Sequence, residues 1–347
     1  VNFAEHAWIG WESDATLTID GGTINVAGMY GTAFEGGAGT AQVSVKRGLL
    51  NLAELDDTKS IPEGSTLDIS SGMVKIAGDK VAAVTAYVEA GRITGYAGNG
   101  SINAMLIGDS TVITAVPGRQ ETTVWNPALN PESTGLWSEA ENWSDFNVPM
   151  DNKVVFNVPD APESVLDIES TIKQFVLGDG GPGGTLRVTD GGTLTTTAGW
   201  SGVAWTNDAT LIVETGGTVN FGEHAWIGWD GNATLQINGG TVNVAGMYGT
   251  AFGGQAGTGM TTINSGSLNL SAFDAVKSIP EGSLMNIKEG TVTIQGDQTA
   301  AVNAYVEAKK ITAYGCKGTA NGTFADCCTQ ITRTAVQNAT TVWNTSG

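Results

Sequence analysis

The sequence predicts an all-β chain: a right-handed parallel β-helix, or solenoid, of tandem 218-residue modules with coils of about 24–26 residues. Three observations carry that expectation. First, residues 1–129 recur without a gap at 219–347: VNFAEHAWIGW at Val1 returns as VNFGEHAWIGW at Val219, and TTVWN at Thr122 returns at Thr340. Second, a shorter step runs inside the module. There ATLIVETGGTVNF at Ala209 is followed by ATLQINGGTVNVAG at Ala233, TTINSGSLNLS at Thr261 and LMNIKEGTVTIQGD at Leu284. Third, Gly is abundant at 49 residues, Thr, Asn and Val are frequent, and Lys and Arg are sparse, a composition suited to short strands and many turns.

Each step is read as two short alternating strands, such as Leu235 and Ile237 and then Val242 and Val244, split by a Gly-containing turn, so that one face of each strand is buried. A β-sandwich of hairpins would not explain why the NGG or TGG turn recurs at one phase of every step. Coils that each cover the open face of a neighbour do. Residues 1–121 are read as the C-terminal part of a first module, 122–339 as a complete second module, and 340–347 as the start of a further one. The module closes in YVEAGRITGYAG at Tyr87, repeated as YVEAKKITAYGC at Tyr305, followed by a strand over Ser110 to Val116. Over residues 122–156 the coil pattern lapses into a segment with Trp125, Trp137, Trp143 and three prolines, which suits a cap or joint shielding unpaired strand edges. Because the duplication cuts within coils, the two copies are expected to form one continuous rod. Val1 falls in mid-pattern, which points to a product of a longer precursor.

The 16 basic and 35 acidic residues give a formal charge of -19, which repels phosphate backbones and anionic lipid surfaces. Nucleic acid is therefore excluded as a partner, and neutral glycans and divalent cations remain compatible. No run of about 18 apolar residues is present, so no membrane insertion is expected of this segment.

The motif carried by Trp125, Asn126, Gly135, Trp137, Asn142 and Trp143, followed by Val148, Pro149 and the strand Val154 to Phe156, is similar to the module openings of bacterial autotransporter passenger repeats. It also resembles secreted surface proteins with PEP-type sorting signals. The TLxVxxGGTL coils at Leu186 and Leu211 and the closing run at Tyr87 add to the likeness. The resemblance covers most of the chain and is one of architecture. It implies an extracellular or cell-surface β-solenoid that serves as a stalk, adhesin or surface layer, and it transfers no catalytic motif.

The two histidines, His6 and His224, hold the same place in EHAWIGW, beside Trp8 and Trp11 in one copy and Trp226 and Trp229 in the other. Two readings compete. In a chemical reading, Glu223 or His224 acts as a base, and the aromatic rings stack on sugar faces. In a structural reading, Trp200, His224 and Tyr248, each 24 residues apart, stack as a ladder along one outer face, and His6 and Tyr30 repeat the step. The structural reading is the stronger, because the same residues occur twice, whereas an enzyme cleft needs one unique constellation.

Cys316, Cys327 and Cys328 occur only in the second copy, where the first has Gly98, Asp109 and Ser110. Neighbouring cysteines rarely bond each other, so Cys316 is expected to pair with Cys327 or Cys328, leaving one thiol for another chain and implying an oxidising compartment. With no nearby histidine the three are not read as a metal site. Acidic turns at Asp20, Asp179 and Asp190 are only loosely like calcium turns and are read as turn formers. The triplets at Asn232, Asn321 and Asn338 match the glycosylation pattern, as chance allows in a chain rich in Asn and Thr. No cofactor is expected. The function expected is a stalk, adhesin or self-assembling fibre subunit that partners itself or an extracellular glycan; a carbohydrate-binding or polysaccharide-degrading module is the alternative.

Overall fold

The computed structural model describes residues 1–32, 38–130, 132–158, 163–250 and 256–335. The start of a further module expected at 340–347, and the triplet at Asn338, lie outside the described residues. The chain is nearly all β, a β-solenoid of about 12 stacked parallel turns. It divides into two compact units, one of Val1–Gln120 with Asp145–Asn147 and one of Glu121–Ser144 with Val148–Gly347.

Each coil has three strand faces where the sequence reading has two. In the second unit, Gly184–Val188 pairs in parallel with Ala209–Glu214, Thr193–Thr196 with Thr218–Phe221, and Trp200–Val203 with His224–Ile227. The third strand of each coil is short and its inner positions are taken by Ser201, Val203, Ala225 and Ile227, too few apolar residues to register as a separate alternating run. Side chains at equal phase stack into columns: Leu186, Leu211 and Leu235 on the first face, Leu194, Val219, Val242 and Leu268 on the second, all fully buried. Each such side chain withdrawn from water contributes about 1.5–3 kcal/mol, and the columns form one contiguous core in each unit. Outside, asparagines form their own column, with Asn220 donating to Thr195, Asn243 to Asn220 and Asn269 to Asn243 at 2.8–3.1 Å.

One rung departs from the aliphatic pattern and has a cause. Thr261 stands in the leucine column above Leu235, and its hydroxyl lies 2.6 Å from the Tyr248 hydroxyl, which is buried. In the first copy the equivalent rung is Val43, and the buried Tyr30 hydroxyl has no hydrogen-bond partner among the described residues. Burial holds both phenols above the ordinary tyrosine range. Tyr248→Phe is accordingly expected to destabilise its unit by about 1 kcal/mol, whereas Tyr30→Phe leaves stability unchanged or raises it; urea unfolding of the two variants checks the asymmetry.

Among the described residues the strands form two sheets, one of nine strands in the first unit and one of eighteen in the second. The reason lies at the end of each copy, where the parallel stack gives way to a helix and an antiparallel hairpin. The helices are α1 (Val81–Glu89) and α2 (Thr299–Glu307), both missed by the all-β reading. Asp79 and Asp297 accept hydrogen bonds from the Val81 and Thr299 N–H groups at their starts, and the chain leaves them through left-handed residues, Gly91 and Lys309. Behind α1 the strand Gly100–Ile107 folds back on Ser110–Pro117, which lies antiparallel to Met73–Ala77. Behind α2, Gly318–Ala325 folds back on Cys328–Ala335, which lies antiparallel to Thr291–Gln295. At the other end of the second unit, Trp125, Trp137, Trp143 and Phe156 pack as a buried cluster with ring centroids 4.6–6.1 Å apart. The Trp-rich segment thus covers the first coils of its own unit.

Candidate functional site

The sequence-derived ladder of Trp200, His224 and Tyr248 is brought together only in part. Trp200 pairs in register with His224, their rings 6.0 Å apart and edge to face. Tyr248 does not follow, because it pairs with Ala225 and points into the core. The physical reason is a turn one residue shorter: three residues, Thr215 to Gly217, lead from Glu214 to Thr218, and two, Gly239 and Gly240, lead from Asn238 to Thr241. Before it the coil step is 24, as in Val213 to Ile237; after it the step is 23, as in Thr218 to Thr241. A slip of one residue carries a strand side chain to the opposite face. In the first copy Tyr30 pairs with Ala7 and is likewise buried, so it leaves the ladder with His6.

What the third face gathers instead is a tryptophan cluster. Trp200 is 5.8 Å from Trp226 and 5.6 Å from Trp229, and Trp226 and Trp229 lie 5.3 Å apart. Trp229 also stacks on Trp205, with centroids 4.9 Å apart and planes within 8° of parallel. Trp205 is absent from the sequence-derived set, although its spacing of 24 from Trp229 carries the signal. Two glycines provide flat seats for the rings. A Cβ added at Gly202 would come within 2.6 Å of the Trp205 ring, and one at Gly249 within 2.4 Å of the Trp226 ring. Trp226 is buried under its neighbours, Trp205 and Trp229 are half-buried, and Trp200 is 42% exposed on an outward sheet position. In the first copy, Trp8 lies 5.6 Å from His6 and 6.0 Å from Trp11, which is 45% exposed.

Both histidines serve as clips between coils. His224 Nδ1 accepts the Met247 N–H at 2.9 Å, and His6 Nδ1 accepts the Met29 N–H at the same distance. The Glu223 carbonyl accepts the Gly246 N–H at 2.8 Å, matched by Glu5 and Gly28 at 2.7 Å. The EH pair therefore pins the next coil through its backbone and one ring nitrogen, which accounts for its recurrence without a reaction.

The acidic turns are also engaged in holding coils. Asp20 is 2.8 Å from Arg47, and that hydrogen bond keeps its carboxyl below the usual range. Asp179 is 3.1 Å from Lys153. Asp14 accepts from both the N–H and the hydroxyl of Thr40 on the next coil, which lowers its pKa as well. Among the described residues no group of three or more His, Cys, Asp or Glu side chains is arranged to hold a metal ion.

The expected pairing of Cys316 with Cys327 or Cys328 is corrected by the hairpin. Cys316 lies in the 3-10 turn before the strand Gly318–Ala325, and Cys327 and Cys328 lie in and after the turn at that strand's far end. Eight extended residues at about 3.3 Å each put more than about 20 Å between them, against the roughly 7 Å that a disulfide spans between Cα atoms. All three thiols are free, Cys316 and Cys327 exposed and Cys328 half-buried. Mild reoxidation of the reduced protein is expected to yield no monomer with a bond from Cys316 to either partner. Non-reducing peptide mapping of the monomer would reveal one if the hairpin were arranged otherwise.

Comparison of the chain with protein-family models, curated proteins and solved structures found no match. Fold and site together define its class, a β-solenoid repeat protein of separately capped units. Within that class the distinguishing features of this chain are the tryptophan face, twice associated with a histidine clip, and a thiol-bearing hairpin in the second unit.

Proposed function

We propose that the chain is an extracellular structural module, a rigid stalk or adhesin segment whose task is to hold a surface at a distance and present its outer faces. The observation that carries this reading is the use of the inward positions. They form columns of Leu, Val and Ile, interrupted at Thr261, that are closed by a tryptophan cluster at one end of the second unit and by a helix and hairpin at the other. In each copy the EHAWIGW histidine is engaged in holding the next coil, which favours a structural role for it over an acid–base one. The likeness of the Trp-rich opening and GGT coils to bacterial secreted solenoids supports an extracellular setting. Assembly end to end by continued coil stacking is the weaker form of the proposal, because an antiparallel hairpin covers the last parallel coil in each unit.

Electron microscopy of the purified chain, combined with an assay for new reducing ends on a panel of polysaccharides, tests the reading. Particles that are elongated and release no sugar are the expected result. Depolymerisation of a glycan at catalytic rates would overturn it in favour of an enzyme.

A further inference from the structure

We infer that the tryptophan face of the second unit is a docking platform for an uncharged polysaccharide. The inference rests on the presenting role proposed above and names the partner presented to. Outward positions of a solvated sheet are ordinarily polar, yet here Trp200 and Trp226 on neighbouring strands gather with Trp205 and Trp229 from the bends that follow, and Trp200 keeps 42% of its surface exposed.

The rings are fixed before any ligand arrives. Gly202 and Gly249 let Trp205 and Trp226 lie against the backbone, and Trp229 is held parallel to Trp205. Rigid aromatic surface loses little conformational entropy on binding, which is what an unhydrolysed, repetitive ligand needs. Trp205 and Trp229 stack across neighbouring coils with planes 8° apart, and Trp200 keeps its exposed surface beside them, 5.6 Å from Trp229.

Charge selects among glycans. The chain carries -19, and the exposed carboxylates of Glu223 and Asp230 flank the strand and turn that bear Trp226 and Trp229. They accept hydrogen bonds from sugar hydroxyls and repel sulfated or uronic-acid polymers. Aromatic faces take the C–H faces of the sugars, and the carboxylates take the hydroxyl edges. The four rings of the platform lie in the second unit, and His6, Trp8 and Trp11 gather in the first.

The test is retention of the whole chain on insoluble cellulose, xylan and β-1,3-glucan, with a sulfated glycan as the charged comparison, at low and high salt. At least one neutral polymer is expected to retain the protein with little dependence on salt, and the sulfated one is expected not to. The double variant Trp200→Ala/Trp229→Ala should weaken retention tenfold or more with an unchanged circular dichroism spectrum. Trp200→Phe, which keeps a ring, should retain most of the binding and guards against a folding artefact. Absence of retention by every neutral polymer would overturn the platform, as would equal retention of the double variant. A concentration-dependent dimer abolished by that variant, with no glycan bound, would assign the face to a second copy instead and also overturn it. Each of these failures leaves elongated, non-hydrolytic particles intact and so is separable from failure of the structural reading.

Discussion

Trp143→Ala is expected to destabilise the second unit by about 3–5 kcal/mol, the largest effect of any single substitution considered for it. The side chain is fully buried, its ring lies 5.0 Å from that of Trp125 and 4.6 Å from that of Trp137, and its Nε1–H donates to the Trp137 carbonyl at 2.9 Å. Removing it opens a cavity in the cluster and leaves that buried carbonyl without its donor. The damage should also be local in kind. Phe156, the inward residue of the strand Lys153–Phe156, packs on the same cluster, so the outermost coils lose their cover first. Urea unfolding should show the loss in stability, and hydrogen exchange should show protection falling in Lys153–Phe156 before Ala209–Glu214. Trp143→Phe should cost less, because most of the packed volume survives and only the indole hydrogen bond goes.

At the opposite end, Tyr305→Phe is expected to cost about 1–3 kcal/mol although only one oxygen is removed. Tyr305 projects from α2 with its hydroxyl donating to the Asp274 carbonyl at 2.9 Å and accepting the Ile279 N–H at 3.2 Å. The same loop is held by Ser278, whose buried hydroxyl donates to the Tyr248 carbonyl at 2.7 Å and accepts the Asp274 N–H at 2.9 Å. Phenylalanine would fill the same space and leave two backbone groups of this loop unsatisfied. The expected signature is faster amide exchange across α2 and the 274–279 loop, with the tryptophan cluster at the other end unaffected. Tyr87 makes the matching bonds to Asp56 and Ile61 in the first unit, so Tyr87→Phe provides an internal repeat of the experiment.

The solenoid was legible because its two signals are redundant. Leu211, Leu235, Val219 and Val242 repeat both the step of the coil and the alternation of the strand, and either alone would have placed them inside. The helices were not legible for an equally physical reason. VAAVTAYVE buries only Ala83, Val84 and Tyr87, a stripe too short to establish a helical period within nine residues. At the aromatic face, Trp200, His224, Trp226 and Trp229 were found from their spacing, and Tyr248 was misplaced by the same rule. A constant step of 24 overlooks the one-residue difference between VETGGT at Val213 and INGGT at Ile237, which the sequence itself carries. For the cysteines, sequence proximity was a poor guide to distance, since an extended hairpin strand separates residues faster than any other structure.

The stacked coils also bear on how such a chain reaches its native state. Nearly every ladder contact joins residues about one coil apart, as Leu186 with Leu211 and Leu211 with Leu235 do, so each closes a loop of 24 or 25 residues wherever it lies along the unit. Closing a loop of that length carries the same entropic cost for the last coil as for the first, and mean contact separation relative to chain length falls as coils are added. Growth of the ladder is therefore a zipper in which any formed coil templates its neighbour, and a longer unit is not a slower one per coil. The slow events are confined to the ends, where the hairpin Gly318–Ala325 with Cys328–Ala335 must find Thr291–Gln295 in antiparallel register after the stack beneath it exists.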